Sequence, residues 1–112
     1  VKLVTAIIQP EQLETVQKAL VRHGVAGMTI TEVSGYGRQR GHTEVYRGAE
    51  YSIDFIQKVK VEVLVDDDEA EPLVGVMLQG ARTGSVGDGK IWVVPVGTVV
   101  RVRTGESGSD AI

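Results

Sequence analysis

Residues 83–90 read TGSVGDGK, with glycines at 84, 87 and 89 ahead of Lys90. Glycines let backbone N–H groups close on an oxyanion, and a lysine adds positive charge, so phosphate binding is the chemistry such a turn could perform. The spacing G-x-x-x-x-G-K is that of the phosphate loop, but Ile91 stands where Ser or Thr should ligate magnesium. The residues that follow also pattern as a strand, where a phosphate loop needs a helix. A phosphate-loop NTPase is therefore excluded. An anion site and a plain glycine-rich connection both remain open for this turn.

Further cations sit at suggestive spacings. Arg101 and Arg103 are two apart in TVVRVR; on a strand both guanidiniums leave one face, an arrangement that suits a polyphosphate. Charged positions that protect a solvated edge would look the same. GYGRQRGH, residues 35–42, carries three glycines and two arginines at the end of an expected strand. It reads equally as an anion nest or as a hinge. Gln39 offers one neutral oxygen to a metal. Lys58 reads either as an exposed lysine or as the partner of a carboxylate. His23 and His42 lack metal-ligand spacing, so no zinc site is read. No Ser–His–Asp or Cys–His set and no carboxylate pair argues for hydrolysis.

The elements that must position these groups follow from periodicity. KLVTAII, residues 2–8, is expected as a strand with Leu3 and Ile7 on one face and Val4, Ala6 and Ile8 on the other. Pro10 opens a helix whose stripe carries Leu13, Val16, Leu20 and His23, and Gly24 ends it. MTITEV, 28–33, is a second strand, broken by Gly35 and Gly37. KVKVEVLV, 58–65, is a third, with Val59, Val61, Val63 and Val65 on one face. Asp66, Asp67 and Asp68 are cap candidates for a second helix bearing Leu73, Val76, Met77 and Ala81. Pro72 is expected to delay that helix or to remove one of its bonds. KIWVVPV, 90–96, is a fourth strand, TVVRVR closes the ordered part, and TGESGSDAI, 104–112, reads as a polar tail.

The order β-α-β, long loop, β-α-β predicts an α+β, ferredoxin-like split sandwich in a single domain spanning residues 1–112. Two helices cover only one face of four strands, and the first and fourth strands are apolar on both, so burial against copies of the same chain is expected. The polar stretch at about 37–57 exceeds the usual loop length and holds Tyr46 and Tyr51 in a segment, HTEVYRGAEY, that suits neither helix nor clean strand.

Composition narrows the class. The chain has 112 residues, 42% hydrophobic, with a formal net charge of −3, which argues against a nucleic-acid-binding footprint. An RNA-recognition sheet would need stacking aromatics, and Trp92 alone qualifies. The absence of cysteine is compatible with a reducing cytoplasm, the expected location. No leader peptide and no membrane-inserted segment are expected.

VYRGAEYSIDF, 45–55, and TGSVGDGKIWVVPVGTVVRVRTGESGSDAI, 83–112, resemble the PII signal-transduction family of nitrogen-status sensors, and the match runs from residue 2 to 112. The resemblance implies a non-catalytic homotrimer binding ATP or ADP in clefts between subunits. One subunit would give Gly35, Gly37, Arg38, Gln39, Glu62, Leu64, Gly87, Asp88, Gly89 and Lys90; its neighbour would give Gly27, Met28, Thr29, Arg101 and Arg103. Mg2+ would be held by Gln39 together with ATP and 2-oxoglutarate. 2-Oxoglutarate would meet Lys58, Gly87 and the backbone of Gly37, Gln39, Arg40 and Gly41. Residues 37–57 would form the partner-facing T-loop, with Tyr51 open to a nucleotidylyltransferase. Partners would be an ammonium transporter, an adenylyltransferase or a sensor kinase. Gln9, Arg40, Gln57 and Ser85 depart from the commoner pattern, and Ala49 stands where cyanobacterial relatives carry a phosphorylated serine. The alternatives carried forward are a trimeric ferredoxin-like metal-ion-binding protein and a slow ATPase.

Overall fold

The computed structural model of the protein describes residues 1–36 and 55–112, together with the backbone pairing of Val45–Tyr46 (β3) with Ala49–Glu50 (β4). Four strands form the main sheet: β1 (Lys2–Ile8), β2 (Thr29–Gly35), β5 (Ile56–Val65) and β6 (Gly89–Pro95). Their order is β2-β5-β1-β6, with every neighbouring pair antiparallel. With α1 (Leu13–His23) and α2 (Ala70–Ala81) this is the expected ferredoxin-like sandwich.

Alternation on β1 and β5 decides which face the helices cover. Val4, Ala6 and Ile8 are buried, as are Val59, Val61, Val63 and Val65. Val16 and Leu20 of α1 and Leu73 and Met77 of α2 close over them. Full burial of such a side chain stabilises by roughly 1.5–3 kcal/mol. Gly80 lets the helices approach, since a Cβ there would lie 3.2 Å from Cγ2 of Val16. Gly24 ends α1 at φ 95°, donating its N–H toward the carbonyls of Leu20 and Val21.

Several expectations need correction. Pro10 opens a 3-10 turn, Pro10–Gln12, and α1 begins only at Leu13. Gly35 does not break the second strand but is its last residue, paired with Ile56. Ile56 and Gln57, expected in the loop, already belong to β5. As one branch of the Pro72 expectation had it, α2 starts only at Ala70, after a 3-10 turn at Asp67–Glu69, so Pro72 falls in its first turn, where backbone N–H groups have no partner within the helix. None of the three aspartates makes a side-chain cap; Asp66 instead accepts a hydrogen bond from the Ser109 hydroxyl.

The largest difference concerns TVVRVR. Residues 101–104 form a turn, closed by the Gly105 N–H donating to the Arg101 carbonyl and the Arg101 N–H donating to the Glu106 carbonyl, each at 2.8 Å. Gly105 sits at φ 76°, a left-handed conformation that reverses the chain, and Val100 then bridges to Ser107. Arg101 and Arg103 therefore do not share a strand face. Residues 104–112 are likewise no loose tail: they contain that bridge and a 3-10 turn, Gly108–Ala111.

Among the described residues, no helix covers the other sheet face. This face carries Leu3 and Ile7 of β1, Lys58, Lys60, Glu62 and Leu64 of β5, and Lys90, Trp92 and Val94 of β6, neighbours by register. Leu64, Trp92 and Val94 are each 37–42% exposed. The apolar share of this face is what the sequence predicted would need a covering partner.

Candidate functional site

Two concavities open toward this face, at opposite ends of the strands. The first, about 540 Å³, lies where β1 and β2 end and β5 and β6 begin. Its walls are Ile7, Gly35, Tyr36, Ile56, Lys58 and Trp92, with the 85–90 turn as its rim. The second, about 820 Å³, lies at the other end, lined by Gly27, Met28, Thr29, Glu62, Leu64 and Arg101, with Leu3, Ala26, Val96, Ala111 and Ile112 beside them.

The glycine turn of the first cleft has the conformation its composition suggests. Gly84, Gly87 and Gly89 adopt φ of 91°, 99° and 105°. Gly89 is also sterically fixed: a Cβ there would stand 1.7 Å from the carbonyl oxygen of Ile7. Lys58 enters this cleft from β5 and is only 8% exposed. Its ammonium donates to the Gly87 carbonyl. A buried cation needs such a partner, so the plain exposed-lysine reading is set aside. Lys90, at the start of β6 and opposite Ile7, keeps its side chain exposed on the same rim.

Asp88 lines this cleft, yet its polar groups are turned into the loop. Its carboxylate accepts from the Thr83 hydroxyl, the Thr83 N–H at 2.7 Å, the Gly84 N–H at 2.8 Å and Gln9 Nε2 at 3.0 Å. Its own N–H donates to the Ser85 carbonyl at 3.3 Å. The Thr83 hydroxyl bond, then the Thr83 N–H, hold the carboxyl below its ordinary range, outweighing the opposing effect of burial.

In the second cleft Arg101 is held by two contacts, Nη1 to Glu106 Oε1 at 3.1 Å and Nη2 to the Ile112 carbonyl at 2.8 Å. Thr29 and Glu62 are direct cross-strand partners. Lys60 lies 3.8 Å from Glu62 and balances its charge.

The protomer thus brings Gly35, Lys58, Gly87, Asp88, Gly89 and Lys90 together, and separately Gly27, Met28, Thr29, Glu62, Leu64 and Arg101. Glu62 and Leu64, expected beside Lys90, instead border the second cleft. Arg103 is exposed in the 101–104 turn and lines neither. Gly37, Arg38, Gln39, Arg40, Gly41 and Tyr51 lie outside the described residues. Sequence reasoning missed Gln9, whose hydrogen bond spans 79 positions and leaves no local signal. It also missed Trp92 and Ile7 as cleft walls. Among the described residues no three His, Cys, Asp or Glu side chains converge as metal ligands, so the metal-binding alternative gains no support. No helix among them is long and apolar enough to cross a membrane.

A family model described as nitrogen regulatory protein P-II matches residues 1–106. The chain is 54% identical over 111 residues to a nitrogen regulatory protein P-II of Azospirillum brasilense, with 99% of each chain covered. It is 52% identical to the nitrogen regulatory protein P-II 1 of Escherichia coli, again with 99% of each covered. A crystal structure of Arabidopsis thaliana PII bound to citrate superimposes with a TM-score of 0.81 at 39% identity, covering 99% of this chain and 91% of that one.

Proposed function

Since the chain belongs to the nitrogen regulatory P-II family, whose members are signalling regulators, we propose that it senses adenine nucleotide and 2-oxoglutarate at sites built between copies of itself. One observation carries this reading: the phosphate-suited turn with Lys58 and Lys90 sits at one end of the open face, and Arg101 at the other. Each cleft is half of a triphosphate site. A heterologous ring of three copies brings the first cleft of one protomer against the second cleft of the next, and covers Leu64, Trp92 and Val94.

In this assembly the 87–90 turn and Lys90 hold the phosphates of ATP or ADP from one side, and Arg101 from the other, with Arg103 reaching in from the exposed turn beside it. Both arginines can offer paired donors. Magnesium would arrive with ATP, and Gln39 would offer it a side-chain oxygen. Lys58 and the backbone of Gly37, Gln39, Arg40 and Gly41 meet the carboxylates of 2-oxoglutarate. The relative bound to citrate supports a carboxylate ligand for this fold. If 2-oxoglutarate depends on ATP already being present, the coupling is reciprocal, and each ligand tightens the other by the same factor. Because Lys58 and Gly35 flank the 37–57 segment, occupancy biases that segment's conformation and hence its choice of partner, among them a transporter, an adenylyltransferase or a sensor kinase. Nucleotidylation of Tyr51 adds charge and bulk to the same surface. Intact-mass measurement of protein from nitrogen-limited and replete cells tests that step; an unmodified chain in both removes it.

The binding reading is tested by titration calorimetry of ATP with and without 2-oxoglutarate and magnesium. The expected result is ATP binding that 2-oxoglutarate strengthens, and 2-oxoglutarate heat only when ATP and magnesium are present. Heat from 2-oxoglutarate alone at equal affinity overturns it.

A further inference from the structure

We propose that Asp88 is a positioning residue, the hub of a three-residue latch with Thr83 and Gln9 that holds the anion turn in its binding shape. This rests on the reading of the first cleft as a phosphate site, and it adds residues which that reading leaves without a role. One carboxylate takes four hydrogen bonds from three residues, three of them from within the turn and one from Gln9, so each of its oxygens accepts two. Two of the donors, the Thr83 and Gly84 N–H groups, fix the start of the turn; Gln9, just beyond β1, ties it to the sheet. The Asp88 N–H is committed to the Ser85 carbonyl. A trans peptide sets its C=O and N–H in opposite directions, so this same bond aims the Gly87 carbonyl outward, where Lys58 donates to it. The latch therefore orients a backbone acceptor that holds the buried ammonium of the cleft. An anion cannot bond to the Asp88 carboxylate, which has no proton to donate and carries a like charge. The carboxylate acts through the turn instead.

The test uses Thr83→Val, which keeps volume and removes the hydroxyl donor, with Thr83→Ser as the conservative restoration and Gln9→Leu against Gln9→Lys as a second pair. Amide hydrogen exchange of Thr83 and Gly84 is followed without any ligand, and ATP affinity by calorimetry. Thr83→Val and Gln9→Leu are expected to speed exchange at those two amides and to weaken ATP by about tenfold, the scale of one lost hydrogen bond to a charged acceptor. Thr83→Ser and Gln9→Lys keep wild-type values in both measurements. Unchanged exchange in both donor-deleted variants overturns the latch, as does an ATP loss that serine and lysine fail to restore. If the wild-type protein takes up no ATP, the binding reading fails, and the exchange rates alone still decide whether Asp88 holds the turn.

Discussion

The two clefts lie on one sheet face and differ in how they are held. The first is built on a turn whose polar groups find partners within it and on the sheet: Asp88 takes four donors, one of them Gln9, and the Lys58 ammonium closes on the Gly87 carbonyl. The second is walled by a lobe of the chain's last dozen residues, with Arg101 tethered to Glu106 and to the Ile112 backbone. The first cleft sets its lysines beside a backbone turn, and the second holds its guanidinium by one surface ion pair and one part-buried bond to the backbone. On the proposed reading, one half would grip the phosphates through a turn tied by its own hydrogen bonds, and the other through a tethered guanidinium.

This contrast can be broken by substitution, in descending order of expected loss of ATP affinity. Gly89→Ala should cost most, because the new Cβ meets the Ile7 carbonyl and φ is 105°. Left-handed strain alone is about 1–3 kcal/mol, and with the clash we expect a denaturation midpoint well below wild type and no measurable ATP heat. Arg101→Ala should leave the first cleft intact, shown by unchanged amide shifts of Gly84 and Gly87, while ATP weakens by about 10–100-fold. Lys58→Ala sharpens the comparison: 2-oxoglutarate heat is lost, and ATP affinity stays within about tenfold. Full 2-oxoglutarate binding in that variant contradicts the placement of the carboxylate at Lys58.

The smallest effect is acid-dependent. Asp88 has a folded-state pKa lowered from its ordinary 3.8, so its stabilising contribution is present above that value and is lost as pH falls through the lowered one. Thermal melts of wild type and Asp88→Asn should therefore differ by a constant amount from neutrality down to the ordinary carboxylate range, then converge in stronger acid. A difference that grows as the solution is acidified contradicts the sign.

Much of the fold was legible because it rests on short-range periodicity. The alternation in KVKVEVLV gave the buried face of β5, and Gly24 marked the end of α1. The helix stripe with Val16 and Leu20 was equally clear, as was the glycine turn before β6. What failed was decided by contacts that no local pattern encodes. Arg101 and Arg103 alternate as a strand would, but Gly105 reverses the chain and takes both out of it. Gly35 looked like a breaker, yet pairing with Ile56 keeps it extended. Gln9 meets Asp88 only because β1 and β6 are neighbours in the sheet. For the candidate site, residue types and spacing singled out the turn, but left Lys58 open between an exposed lysine and a carboxylate partner. The distribution of the other residues between two ends of one face needed the register of β2 on β5.

The central claim is that two copies of the chain complete each nucleotide site, and mixed assemblies test it most directly. Lys90→Ala damages the first cleft and Arg101→Ala the second, so neither variant alone should bind ATP with wild-type affinity. Unfolded together and refolded in equal amounts, they should regain wild-type affinity at about a quarter of the contacts, those pairing an intact first cleft with an intact second one. A refolded mixture that binds no better than its two components, or a protein that binds ATP fully as a monomer, contradicts the account.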